Sequence, residues 1–329
     1  MFTVGLDVDT GVSTGCSQEI ELNAGILMSN LYSPKVLLSN IRQINNMLTK
    51  LGKINKGGGS AGNQRNYTRK EEMSKGWERL TKVSDHVGKL RELGKEEWGD
   101  YMAGLIDGNG SIRKGVIEIR LREGEYSLAY KLKKEVGYGV VRELKEEEGG
   151  GIMYKVEKEG GREIISRAIN GRLRTEKKVE ELRKSVSGVR EVKSRRGDGD
   201  MNNYWLAGLM DARGRLEIGL KREGGIGEVE LILDIGLKGE EELLKKVRDY
   251  FRGGSVIKKE EGMEVYRNTE MEGVYKVIGY LDKYKMRSRR YVSYIKYRKV
   301  YRIVTRGEHM TERGIKKIES IRSKGIIRD

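Results

Sequence analysis

The sequence predicts an α+β protein in which one structural unit of roughly 100 residues is used twice. Three observations predict it. A short apolar segment rich in small residues occurs as YMAGLIDGNGSI from Tyr101 and again as YWLAGLMDARGRL from Tyr204, so that Asp107 and Asp211 lie 104 residues apart. Each segment runs into residues that alternate apolar and polar, the signature of a half-buried strand. Each copy later closes a helical pattern on glycine and returns to a strand, as VGYGVVRE at 136–143 and FRGGSVIKKE at 251–260.

The elements follow in order. Residues 1–75 carry a short apolar start, MFTVGLDVDT, and then the Gly-, Asn- and Lys-rich LGKINKGGGSAGNQRNYTRKEE, which reads as a leader and flexible linker. A first half-domain spans 76–186. Within it a helix is expected over Lys95–Asp107, strands near Gly110–Arg113 and Gly115–Arg122, and helical patterns near Tyr126–Val136 and Arg162–Lys184. Residues 187–201, beginning SGVREVKSRRGDGD, read as a linker. A second half-domain spans 202–329. It repeats the order with a helix near Tyr204–Asp211, strands near Gly214–Leu220 and Glu228–Leu237, and a helix near Glu240–Phe251.

Composition narrows the partners. Lysine and arginine number 66 against 50 acids, a net charge of +16, which favours a polyanion and above all nucleic acid. A purine-rich coding strand would raise Gly, Lys, Glu and some Arg together, but not the excess of bases over acids. No apolar run approaches membrane-spanning length, so no membrane partner is expected. One cysteine excludes an internal disulfide framework and a cysteine metal cage, and two histidines leave little for zinc chemistry.

MAGLIDGNG (Met102–Gly110) and LAGLMDARG (Leu206–Gly214) closely resemble the signature of the LAGLIDADG homing endonucleases, and the resemblance extends over about residues 95–320. INGRLRTEKKVEELRK (169–184) and LDKYKMRSRRYVSY (281–294) are similar to the family's repeat ends. The resemblance implies two pseudo-symmetric αββαββα half-domains in one monomeric chain, each with a curved antiparallel sheet that forms a nucleic-acid-binding saddle. Small residues at Ala103, Gly104, Ala207 and Gly208 suit helices packed backbone to backbone. In the family the eighth motif residue is an acid, and the two acids hold divalent metal, Mg2+ here if any nuclease activity remains. This chain has Asn109 and Arg213 at those places. An amide carries no charge and a guanidinium repels a cation. The sixth-position acids Asp107 and Asp211 are intact; the family reading makes them structural, and a shifted register would leave them as fallback metal ligands.

The strand VIEIRLR (116–122) puts Ile117, Ile119 and Leu121 on one face and Glu118, Arg120 and Arg122 on the other. The polar face is either simply solvated or, as the resemblance implies, a nucleic-acid surface. Candidate binding residues are Arg113, Lys114, Arg120 and Arg122 in the first copy and Arg215, Lys221 and Arg222 in the second, where Glu230 and Asp234 weaken the case. KYKMRSRRYVSYIKYRKVYR (283–302) interleaves bases with tyrosine. Tyr284, Tyr291, Tyr294 and Tyr301 are either core residues or platforms for unpaired RNA bases. Lys285, Arg287, Arg289 and Arg290 are the candidate basic residues near the active centre.

MFTVGLDVDT resembles part of cytochrome c oxidase subunit 1, as an intron reading frame continued from an upstream exon would. That implies synthesis inside the mitochondrion. The expected function is binding of double-stranded DNA or group I intron RNA on a cleavage-impaired endonuclease scaffold, acting as an intron maturase. An active site-specific homing endonuclease that mediates intron mobility is the alternative.

Overall fold

The computed structural model describes residues 90–185, 200–223 and 226–323. The chain divides into Met1–Glu72 and Met73–Asp329, and every described residue belongs to the second unit. The expected leader and most of the expected linker therefore lie outside the described residues.

The first copy runs α1 (Lys95–Asn109), β1 (Gly110–Arg113), β2 (Val116–Leu121), α2 (Tyr126–Val136), β3 (Val140–Glu143), β4 (Ile152–Val156), α3 (Glu159–Ile169) and α4 (Glu176–Ser185). The second runs α5 (Trp205–Arg213), β5 (Gly214–Glu223), β6 (Ile226–Lys238), α6 (Glu241–Phe251), β7 (Ser255–Lys259), β8 (Met263–Asn268), α7 (Met271–Lys283) and α8 (Arg290–Thr305), and α9 (Glu312–Ser323) follows. Each copy holds an antiparallel four-stranded sheet, in the orders β1-β2-β4-β3 and β5-β6-β8-β7. The identical order is the duplication expressed in three dimensions.

Alternation decides which face of each sheet is buried. Ile117, Ile119 and Leu121 enter the core from β2, and Leu231, Leu233, Ile235 and Leu237 enter it from β6. The β1–β2 turn has two residues, Lys114 at φ 49° and Gly115 at φ 72°, between the paired Arg113 and Val116. Positive φ at both positions matches the twist of the flanking strands and projects Lys114 from the tip. Edge strand β1 is covered by α4: Ile112 N donates to Glu181 Oε2 at 3.0 Å and Ser185 Oγ donates to Ile112 O at 3.1 Å.

Two expectations need correction. The helical pattern read across Arg162–Lys184 is two helices, because Asn170 leaves helical geometry and Gly171 turns at φ 74°. In the second copy the left-handed residue that ends α6 is Arg252, at φ 55°, and not the glycine that follows it. Among the described residues no helix is long and apolar enough to cross a membrane.

Candidate nucleic-acid interface at the central seam

α1 and α5 pack against each other along their small residues. A Cβ added to Gly104 would stand 1.9 Å from Trp205 O, and one added to Gly208 would stand 2.1 Å from Tyr101 O. Neither position admits any other side chain without separating the helices. The contact brings the two helix C-termini, and the loops beyond them, to one place.

Asp107 and Asp211 lie at that place, each 5% exposed. Asp107 accepts from Arg174 N (2.8 Å), Thr175 N (3.2 Å), Thr175 Oγ1 (2.7 Å) and Trp205 Nε1 (2.7 Å). Asp211 accepts from Arg287 N (2.7 Å), Ser288 N (3.3 Å), Ser288 Oγ and Tyr101 Oη (2.7 Å). Burial pushes both carboxyls above the ordinary range, while these donors pull the other way. The two sets correspond one for one. In each, a loop before the following helix supplies two amides and a hydroxyl. The fourth donor comes from the opposite motif helix, six residues ahead of the other aspartate. The arrangement ties each repeat end to its motif helix and each motif helix to its mate.

The eighth motif positions lie two residues further along, at the last residue of each helix. Asn109 Nδ2 donates to Arg120 O at 2.8 Å, within its own copy. Arg213 Nε crosses the seam and donates to Gly108 O at 2.7 Å, satisfying a carbonyl of the last turn of α1. Arg213 as a residue remains exposed, yet its guanidinium is set far enough into the seam for burial to lower its pKa. Half-buried Arg122 is also lowered, first by burial and then by the positive charges of Arg213 and Arg215.

A cleft of about 560 Å³ opens beside these residues. Asp107, Asn109, Arg113, Lys114, Arg120 and Arg213 line it, so six of the residues singled out from sequence as candidate site positions converge there, with Glu118 beside them. Lys155, Lys177, Lys178 and Lys238 also line it and were not singled out from sequence. They come from β4, α4 and β6, and only the strand register reveals one of them: Lys155 is paired with Glu118, at 3.9 Å between charged groups. In the second copy Arg215 pairs with Glu217 at 2.8 Å and Lys221 is exposed on β5. Of Arg222 only its place in β5 is described. Asp234 is buried and held by Arg267 through two bonds of 2.8 and 2.7 Å, so its charge is met within the sheet.

The stretch 283–302 divides differently from one of its two readings. Tyr284, Tyr291, Tyr294 and Tyr301 are all buried, at 9% exposure or less, and cannot stack on bases; they are core. Tyr294 Oη donates to Asp282 at 2.6 Å. Arg287, Arg289 and Arg290 serve the seam chiefly by geometry. Arg287 N meets Asp211, Arg289 N meets both oxygens of Glu125 at 3.1 Å, and Arg290 Nη1 donates to Met210 O at 3.3 Å. Lys285 is half-buried beside Asp282.

Known proteins share this architecture. Residues 206–301 match the family described as LAGLIDADG endonuclease. The fold superposes on the meganuclease I-AabMI bound to uncleaved DNA, with TM-score 0.58 and 19% identity, covering 70% of this chain and 99% of that one. It also superposes on I-SmaMI bound to uncleaveable DNA, with TM-score 0.53 and 16% identity, covering 73% and 99%. Likeness at that identity speaks for the fold alone. A "cox1 intron-2 37.2 kDa protein" of Schizosaccharomyces pombe is 32% identical over 248 residues, 72% of this chain and 76% of the relative. With the twofold motif, the seam it builds and a relative matched across most of both chains, this chain belongs to the LAGLIDADG endonuclease family.

Proposed function

We propose that this chain binds nucleic acid without cutting it, as a mitochondrial, intron-encoded protein that helps its own group I intron RNA fold and splice. The observation that carries the reading is the pair of side chains at the helix ends. Hydrolysis assisted by divalent cations needs anionic oxygen ligands there. Asn109 spends its amide on Arg120 O, and Arg213 places a positive charge where a cation would have to sit. Asp107 and Asp211 do not replace them, because both are buried and each already accepts four hydrogen bonds. Among the described residues no group of three or more His, Cys, Asp or Glu is placed to hold a metal. The residues present do not fit Mg2+.

The binding surface is supported by the basic cleft, by exposed Arg120 and Lys114, and by the DNA carried by the structural neighbours. The cox1 intron relative supports the mitochondrial address and the intron context. A second reading, an active homing endonuclease, has the intact seam and duplicated sheets in its favour.

One experiment separates them. The full chain is incubated in magnesium with duplex DNA spanning the joined exons and with the intron RNA. The proposal expects intact duplex and tight, salt-dependent RNA binding that accelerates splicing. Specific cleavage of the duplex would overturn it.

A further inference from the structure

Arg213 is an unusual arginine. Its Nε is pinned to Gly108 O at 2.7 Å, and among the described residues that carbonyl is its sole partner. Among the described residues no salt bridge meets its charge, and burial lowers its pKa. The pinned Nε fixes the plane of the guanidinium, so the two terminal nitrogens form a preset fork. Arg213 borders the cleft that Asn109, Arg113, Lys114 and Arg120 also line. Arg122 feels the charges of both Arg213 and Arg215. Like charges gathered in a partly buried place repel, and an anion arriving among them relieves the repulsion. A planar fork with an unmet charge matches two oxygens of a phosphodiester.

We propose that Arg213 is a phosphate anchor, taking one backbone phosphate of the bound nucleic acid directly at the seam, so that binding there requires no divalent cation. This rests on the reading of the chain as a nucleic-acid-binding protein and assigns to the seam a task other than cleavage. The anchor is single: the matching place in the other copy is Asn109, which turns inward to Arg120 O and carries no charge. The two halves of the seam therefore hold the sugar–phosphate backbone unequally. A strand bound across the pseudo-twofold is gripped at one end of the seam and only faced by an amide at the other.

The test is the salt dependence of binding by the full chain in EDTA, with two labelled probes: the joined-exon DNA duplex and the intron transcript. Arg213→Gln is expected to bind about tenfold more weakly, with the slope of log affinity against log salt shallower by about one contact. Arg213→Lys keeps a cation and is expected to keep the slope while losing part of the affinity, because a point charge replaces a fork. A folding defect would not sort the two variants in that way. The probe that shows the slope change identifies whether DNA or RNA supplies the phosphate. An unchanged slope in Arg213→Gln, or wild-type binding that appears only when magnesium or calcium is added, would overturn the anchor. If the wild type binds neither probe, the anchor and the proposed function fall together. If the wild type cleaves the duplex in magnesium while Arg213→Gln still flattens the slope in EDTA, the anchor stands and only the non-cutting reading falls.

Discussion

Trp205 donates its indole N–H to Asp107 at 2.7 Å across the seam, and Tyr101 answers with a hydroxyl to Asp211 at the same distance in the opposite direction. Burial and the neighbouring aspartate both raise the Tyr101 phenol well above its usual range, so it stays protonated and donates. A buried carboxylate deprived of one donor loses about 1–3 kcal/mol. Tyr101→Phe removes only the hydroxyl and is expected to lower stability by that amount in urea unfolding. Trp205→Phe should cost at least as much, since it also leaves a void. An unfolding midpoint for Tyr101→Phe equal to wild type would show that the crossed bonds do not hold the halves together.

Glycine substitutions divide sharply by position. Gly104→Ala and Gly208→Ala would push a methyl group into backbone oxygens at 1.9 and 2.1 Å, and backbone in the middle of a packed helix pair cannot step aside. Each is expected to destabilise by ~3 kcal/mol or more. Gly279 sits in α7 with nothing within 4 Å of an added Cβ and is exposed. Gly279→Ala should stabilise by about 0.5–1 kcal/mol through helix propensity alone. Thermal melts of the three variants check this; a loss in Gly279→Ala matching that of Gly104→Ala would refute it.

The contrast also shows what a single sequence can reveal. The motif helices and the paired strands were legible because burial imposes a period, and Ile117, Ile119 and Leu121 follow it without exception. The break between α3 and α4 was signalled by Asn170–Gly171, but the apolar pattern on either side masked it. That break matters, because the loop it creates supplies Arg174 N and Thr175 to Asp107. The tyrosines of 283–302 had two readings from spacing alone, and only packing decides for the core. Lys155, Lys178 and Lys238 reach the cleft from three elements far apart in the chain, so no local pattern could group them. Arg213 was visible as a departure from the motif, but its bond across the seam to Gly108 was not.

Glu125 gives the seam a pH response. It is buried at the start of α2 and accepts Arg289 N from the other copy on both oxygens. Its carboxyl is raised from 4.5 to about 6, first by burial and also by Asp211, against the pull of Arg289 and Arg122. The folded chain therefore holds this proton more tightly than the unfolded chain does. Its contribution is fully present below pH 4.5 and is lost as pH rises through about 6. The loss amounts to ~2 kcal/mol at most. Glu125→Gln should remove that dependence, so the stability difference between wild type and variant should change between pH 4.5 and pH 7, to the variant's advantage at the higher pH. A difference that stays constant across that range would contradict the assignment. Taking the difference cancels the buried carboxyls Asp107 and Asp282, which titrate in both proteins, and leaves Glu125 together with its coupling to Asp211.

The helix ends also predict how the protein answers divalent cations. With an amide and a guanidinium there, calcium or magnesium should leave the melting temperature of the wild type where EDTA leaves it. The double variant Asn109→Asp, Arg213→Asp exchanges a neutral and a positive group for two carboxylates beside the same cleft. It also releases two bonds, from Asn109 Nδ2 to Arg120 O and from Arg213 Nε to Gly108 O, so its stability in EDTA should fall by about 1–3 kcal/mol. Cation should then restore it: at a concentration a hundred times the dissociation constant the gain is about 2.7 kcal/mol. The sign of the response carries the result. A melting point raised by calcium in the double variant alone shows that these two side chains are what keeps the cation from the wild-type seam. A rise in the wild type would mean that other oxygens at the seam bind the cation and that Arg213 does not exclude it.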